Sequence, residues 1–126
     1  MLAPLIPTVL PPEGLPIPVD EIRSRFRLMG FLPGNSGNSI SPRLVLHPTQ
    51  LEVKVINTSF HSYHDLRQVD YSAGWFLSRA QVILKFNDGT DYFIKVSYDL
   101  SNRRLLEFFH VQGIPLSVAA QQALAS

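Results

Sequence analysis

Residues 80–96 read AQVILKFNDGTDYFIKV, and the way this stretch folds back on itself decides the class of the protein. Two apolar-rich runs flank Asn87-Asp88-Gly89, a strong turn signal. A two-residue turn on Asp88-Gly89 would set Phe86 opposite Asp91 and Val82 opposite Lys95, mixing apolar and polar side chains on both faces. A three-residue loop with Gly89 in a left-handed bulge pairs Lys85 with Asp91, Leu84 with Tyr92 and Val82 with Ile94. One face is then apolar throughout, and the other carries an opposite-charge pair with Ile83 beside Phe93. The second register is the expected one, and it makes the stretch a β-hairpin.

Outward from the hairpin, the pattern changes after Tyr98. DLSNRRLLEFFHVQG offers Asp99 or Ser101 as an N-cap and places Leu105, Leu106, Phe108, Phe109 and Val111 over three turns. Gly113 and Pro115 are positioned to end that helix. LSVAAQQALAS reads as a short second helix. Towards the N-terminus, RLVLHPTQLEVKV (43–55) is a second hairpin, with Leu44, Leu46, Leu51, Val53 and Val55 on one face and Val45, Glu52 and Lys54 on the other. IRSRFRL (22–28) alternates apolar residues with Arg23, Arg25 and Arg27, which favours a strand over a helix. PGNSGNSISP (33–42) reads as a loop. Strands followed by a terminal helix make the chain mainly β, an α+β or capped-barrel arrangement.

The first eighteen residues differ in kind. Six of the ten prolines lie there (Pro4, Pro7, Pro11, Pro12, Pro16, Pro18) and Glu13 is the one charge. Proline at this density leaves an extended, polyproline-like arm. Among the prolines lie the apolar residues Leu2, Leu5, Ile6, Val9, Leu10, Leu15 and Ile17. Such an arm either packs on its own domain or lies across a partner. The expected organisation is therefore an arm at 1–18, a β domain with its helix at 19–115 and a helical tail at 116–126.

The 126 residues make one domain with room for a real core. Eleven Lys and Arg against ten Asp and Glu leave a net charge of +1, too little for a nucleic-acid footprint. There is no cysteine, which excludes disulfides, thiolate nucleophiles and cysteine-based zinc sites and makes a cytoplasmic location the default expectation. No apolar run has the length of a membrane span, and the proline-broken N-terminus is a poor signal peptide.

Several stretches together resemble the bacterial pleckstrin-homology-like (PH-like) and related GRAM domains. RLVLHPTQLEV is similar to their strand–turn–strand L-x-L-T-x-x-x-L, DLRQVDYSAGW to the following strand, ILKFNDGTDYFIKV to the late hairpin and RRLLEFFHVQGIP to the capping helix. The resemblance covers residues 43–115. It implies a bent antiparallel seven-stranded sandwich or split barrel capped by a C-terminal helix, and a binding or assembly module without catalysis or cofactor. Phosphoinositide-binding members carry a Lys/Arg cluster around the loop between their first two strands. This chain has no basic residue between Arg27 and Arg43, so inositol-phosphate recognition is not expected.

Among candidate sites, His61, His64 and Asp65 in HSYHD look like a metal or acid–base cluster. A metal needs three or four converging ligands, and a strand puts residues three apart on opposite faces. The stretch reads as a polar loop leading into a strand, and no metal is expected. Ser36 in GNSGNS lacks the Gly-x-Ser-x-Gly spacing of a nucleophile elbow. The sole tryptophan, Trp75, belongs in a small domain's core by default. If exposed, Trp75 and Phe76, with Arg79 close by, would anchor an interface. The expected function is protein binding or self-association through Leu5, Ile6, Val9, Leu10, Leu15, Ile17, Trp75 and Phe76 and through an exposed sheet edge. The alternative is a lipid headgroup or small anionic ligand on Arg23, Arg25, Arg27 and Arg43, which would bring a membrane surface into play.

Overall fold

The computed structural model describes residues 4–28, 32–38, 41–76 and 78–126, with backbone alone at 27–28 and 32–38. The deciding hairpin folds in the expected register. Strand β8 (Gln81–Phe86) pairs with β9 (Asp91–Val96) through Val82–Ile94, Ile83–Phe93, Leu84–Tyr92 and Lys85–Asp91. Phe86 N–H donates to Thr90 O (2.9 Å) and Gly89, at φ 90°, donates to Phe86 O (3.1 Å), closing a three-residue loop. Val82, Leu84, Phe86, Tyr92 and Ile94 are all buried.

That hairpin is the middle of a five-stranded antiparallel sheet. β7 (Leu66–Ser72) lies on one side of it. On the other side β2 (Val19–Leu28) pairs with β9, and β3 (Leu32–Asn38) pairs with β2 at the far edge. The period-two reading of 22–28 therefore holds: Ile22 and Ser24 point into the core while Arg23 and Arg25 face out. The expected loop at 33–42 is corrected, since its residues 33–38 belong to β3, in register from Ile22–Asn38 to Leu28–Leu32. Gly, Asn and Ser are poor strand formers. β-propensity is strongly context-dependent, and here a ten-residue neighbour supplies a ladder that overrides local preference.

The second sheet is four-stranded, in the order β1 (Leu15–Ile17), β4 (Arg43–Leu46), β5 (Gln50–Lys54), β6 (Thr58–Ser62). β4 and β5 form the second expected hairpin, with Leu46 opposite Leu51 and Leu44 opposite Val53. Both faces of this hairpin are covered, not one. Val45 is buried under the arm, and Glu52 is buried between Arg43 Nε (3.1 Å) and His47 Nε2 (2.9 Å).

Helix α1 (Leu100–Val111) buries Leu105, Leu106, Phe108 and Phe109 against the inner faces of the sheets. Its end is closed by Gly113 N–H to His110 O (3.0 Å) and Ile114 N–H to Phe109 O (3.1 Å), with buried Ile114 packed back on the core. Residues 115–117 then run beside β7, Val69 donating to Pro115 O and accepting from Ser117 N–H (both 2.9 Å). α2 (Val118–Ala125) is capped by Ser117 Oγ, which accepts Ala120 N–H, and it buries Ala120. The segment 116–126 is thus joined to the sheet and is no free tail. The architecture is mainly β: two antiparallel sheets packed face to face and capped by C-terminal helices. Nine strands are present among the described residues, against the seven that the resemblance implies.

Candidate functional site

The loop at residues 73–80 connects β7 to β8 and lies at the opposite end of β8 from the hairpin loop. Its two legs come so close that a Cβ on Gly74 would sit 2.6 Å from both Ala80 N and Ser78 O. Gly74 also has φ +75°, so it is fitted to this point twice over. Trp75 N–H donates to Ser78 O (2.8 Å) and Ser78 N–H donates to Trp75 O (2.9 Å), an antiparallel bridge across the loop. Trp75 is 74 % exposed and Phe76 89 % exposed. The default expectation of a core tryptophan is therefore corrected. The aromatic places of the core are held by Phe86, Tyr92, Phe108 and Phe109.

The loop is tied down at its base. Arg79 Nη1 donates to Asp20 Oδ2 (2.8 Å), Arg79 Nη2 to Val96 O (2.5 Å), and Ser97 Oγ to Asp20 Oδ1 (2.7 Å). The Ser97 hydroxyl and then the Arg79 guanidinium hold the Asp20 carboxyl below its ordinary value. Arg79 is thus the anchor of the loop and not a third contact residue beside the aromatics. It joins the loop to the start of β2 and the end of β9.

The arm packs on its own domain. Leu10 and Ile17 are buried in the main core, and Ile6 and Leu15 are partly buried against it. Leu15, Pro16 and Ile17 pair with Leu46, Val45 and Leu44, so β1 supplies the missing neighbour of β4. Of the six apolar candidates on the arm, Leu5 (76 % exposed) and Val9 (83 %) face outward. Leu10 and Ile17, expected among the partner contacts, are buried in the chain's own core.

Among the described side chains, Arg23 and Arg25 lie together and Arg43 lies apart from them on the other sheet. Arg23 and Arg25 share the outer face of β2, with their guanidinium carbons 5.8 and 5.1 Å from the Phe93 ring centre, in cation–π range. Arg23 lies 3.9 Å from Glu21, Arg25 3.3 Å from Asp91, and Arg43, on the other sheet, 3.1 Å from Glu52. The side chain of Arg27 lies outside the described residues.

The HSYHD residues diverge. His61, in β6, hydrogen-bonds the Tyr92 hydroxyl (2.8 Å) and stacks near Phe86 with ring centres 4.6 Å apart. Burial pushes its imidazole below the ordinary value, against a smaller opposite pull from Asp88 and Asp65. His64 is exposed in a 3-10 turn at Tyr63–Asp65, and it is the main-chain carbonyl of Asp65 that accepts Asn87 N–H (2.8 Å). Among the described residues, no three His, Asp or Glu side chains are grouped to hold a metal ion. A depression of about 580 Å³ near His61 is lined by Ser24, Phe26, Asn57, Tyr92 and Asp88 among others, and among the described residues no Lys or Arg lines it. No described helix is long and apolar enough to cross a membrane.

Searches with protein-family models, curated proteins and solved structures find no match to the chain.

Proposed function

We propose that the chain is a non-catalytic PH-like module that binds a protein partner through the aromatic loop at Trp75 and Phe76. The observation that carries the reading is the pairing of two neighbouring aromatic side chains, both more than 70 % exposed, on a loop that is itself fixed by Arg79 and Asp20. A rigid aromatic anchor loses little entropy on docking, and Trp is the residue type most enriched where truncation weakens an interface. The PH-like assignment is supported by the architecture, two antiparallel sheets capped by C-terminal helices. Leu5 and Val9 extend the contact surface on the arm.

The headgroup alternative is less well supported. Each of Arg23, Arg25 and Arg43 already faces a carboxylate, and the depression near His61 presents Asp88. The test is affinity capture from the native cell with the full chain and with Trp75→Ser/Phe76→Ser, alongside sedimentation with phosphatidylcholine–phosphatidylserine vesicles. The expected result is a stoichiometric protein partner, lost with the double variant, and no vesicle binding. Salt-sensitive vesicle binding that the double variant retains would replace this reading with the headgroup one.

A further inference from the structure

The two sheets have four edges, and three of them carry a device that blocks further pairing. The edge strand β1 is only three residues long with Pro16 at its centre, residues 115–117 run beside β7, and β3 contains Pro33; neither proline has an N–H to offer. β6 closes the four-stranded sheet with none of these: Thr-Ser-Phe-His-Ser holds no Lys, Arg, Asp, Glu or Pro, and Phe60 at its centre is 56 % exposed. The inward side chains of β6 are already engaged, His61 with Tyr92 and Ser59 with Tyr92 as well. What remains is the strand backbone and an outward phenylalanine.

We infer that β6 is a self-pairing edge, and that its occupant is β6 of a second copy, antiparallel about a two-fold axis through Phe60. The inference rests on the reading of the chain as a binding and assembly module, and it names a surface separate from the aromatic loop. The strand is nearly symmetric about its centre. Antiparallel pairing sets Thr58 opposite Ser62 of the second copy, Ser59 opposite its His61, and Phe60 opposite its Phe60. Hydroxyl residues meet hydroxyl or imidazole, and the two rings form a cross-strand aromatic pair. The strand itself holds no charged residue, so no like charges meet along the paired edge. A two-fold contact of this kind is closed and limits assembly to a dimer with one continuous eight-stranded sheet. One pair of five-residue strands is a small interface, so the dimer is reversible and concentration-dependent.

The chain has no cysteine, which permits a direct test. Directly opposed antiparallel residues have Cα atoms about 4.5–5.5 Å apart, within the roughly 4.4–6.8 Å a disulfide spans. Under mild oxidation, Phe60→Cys is expected to become a covalent dimer many times faster than Trp75→Cys, although Trp75 is the more exposed site. Thr58→Cys and Ser62→Cys are expected to cross-link when mixed and to remain monomeric when oxidised separately. Equal rates for Phe60→Cys and Trp75→Cys, or Thr58→Cys dimerising alone as well as in the mixture, would overturn the proposal. The partner-capture result for Trp75→Ser/Phe76→Ser is independent of either outcome, so failure of the edge and failure of the loop are separable.

Discussion

At the scale of single residues, two titratable groups report on the fold with opposite chemistry and the same sign. Asp70 accepts from Ser117 Oγ (2.5 Å) and Tyr71 N–H (2.7 Å) and lies 3.4 Å from Lys85 Nζ. Burial pushes its carboxyl up, but the Ser117 and Tyr71 hydrogen bonds and the Lys85 charge outweigh that and hold it below 3.8. A depressed carboxylate contributes stability that is full above the unfolded value and is lost as pH falls through the folded one. Asp70→Asn should therefore lower stability by about 1–2 kcal/mol at neutral pH, with the difference closing in acid, as read from urea midpoints across pH. His61 is a base held below 6.5 by burial, so the unfolded chain takes up its proton first. Wild-type stability should decline as pH falls below 6.5, and His61→Gln, which can still bond Tyr92, should decline less. Parallel melting curves of the two proteins over that range decide it.

At the scale of elements, the arm shows what composition conceals. The described arm is a strand only at Leu15–Ile17 and makes a hydrogen-bonded turn from Pro11 to Gly14, and the choice between self-packing and a partner depended on what β4 lacked, a long-range fact absent from residues 1–18. Gly14 shows how tightly the segment is seated: at φ +91°, a Cβ there would come within 2.6 Å of His47 and Val45. Ile17 is only 3 % exposed. Ile17→Ala should cost about 2–4 kcal/mol, measurable as a shift in the urea midpoint, whereas Leu5→Ala, on an exposed residue of the same arm, should stay within about 0.5 kcal/mol. If both substitutions are neutral, the arm is not part of the folded unit. The hairpins were legible for the opposite reason: registers at 43–54 and 81–96 are set by neighbouring residues, so face alternation and loop length suffice. β3 was not legible because its pairing is imposed by β2, and the loop at 73–80 was only half so. Gly74 before two aromatics marked it, but the inward or outward sense of Trp75 depended on Arg79 finding Asp20, 59 residues away.

At the scale of the whole molecule, the sheets are finished by chain from both ends. The arm supplies β1 to one, and the linker between α1 and α2 borders the other. That bordering is economical, since one residue of β7, Val69, bonds the linker on both its N–H and its C=O, while Leu116 and Ala120 bury beside it. A chain ending at Ile114 keeps α1 and all nine strands but uncovers Val69 and with it the β7 edge, whose sequence LRQVDYS is a full-length strand. An uncovered edge of that length is a template for intermolecular pairing. The shortened chain should keep strand-rich circular dichroism and yet form aggregates whose growth, followed by light scattering, rises with concentration, while the full chain stays free of them. Phe60→Lys in the shortened chain should not prevent this, because the aggregating edge is β7 and not β6. If the shortened chain is as well behaved as the full one, residues 115–126 contribute only packing and the edge needs no cover. If Phe60→Lys abolishes the aggregates, β6 is the dominant open edge and the C-terminal segment guards nothing.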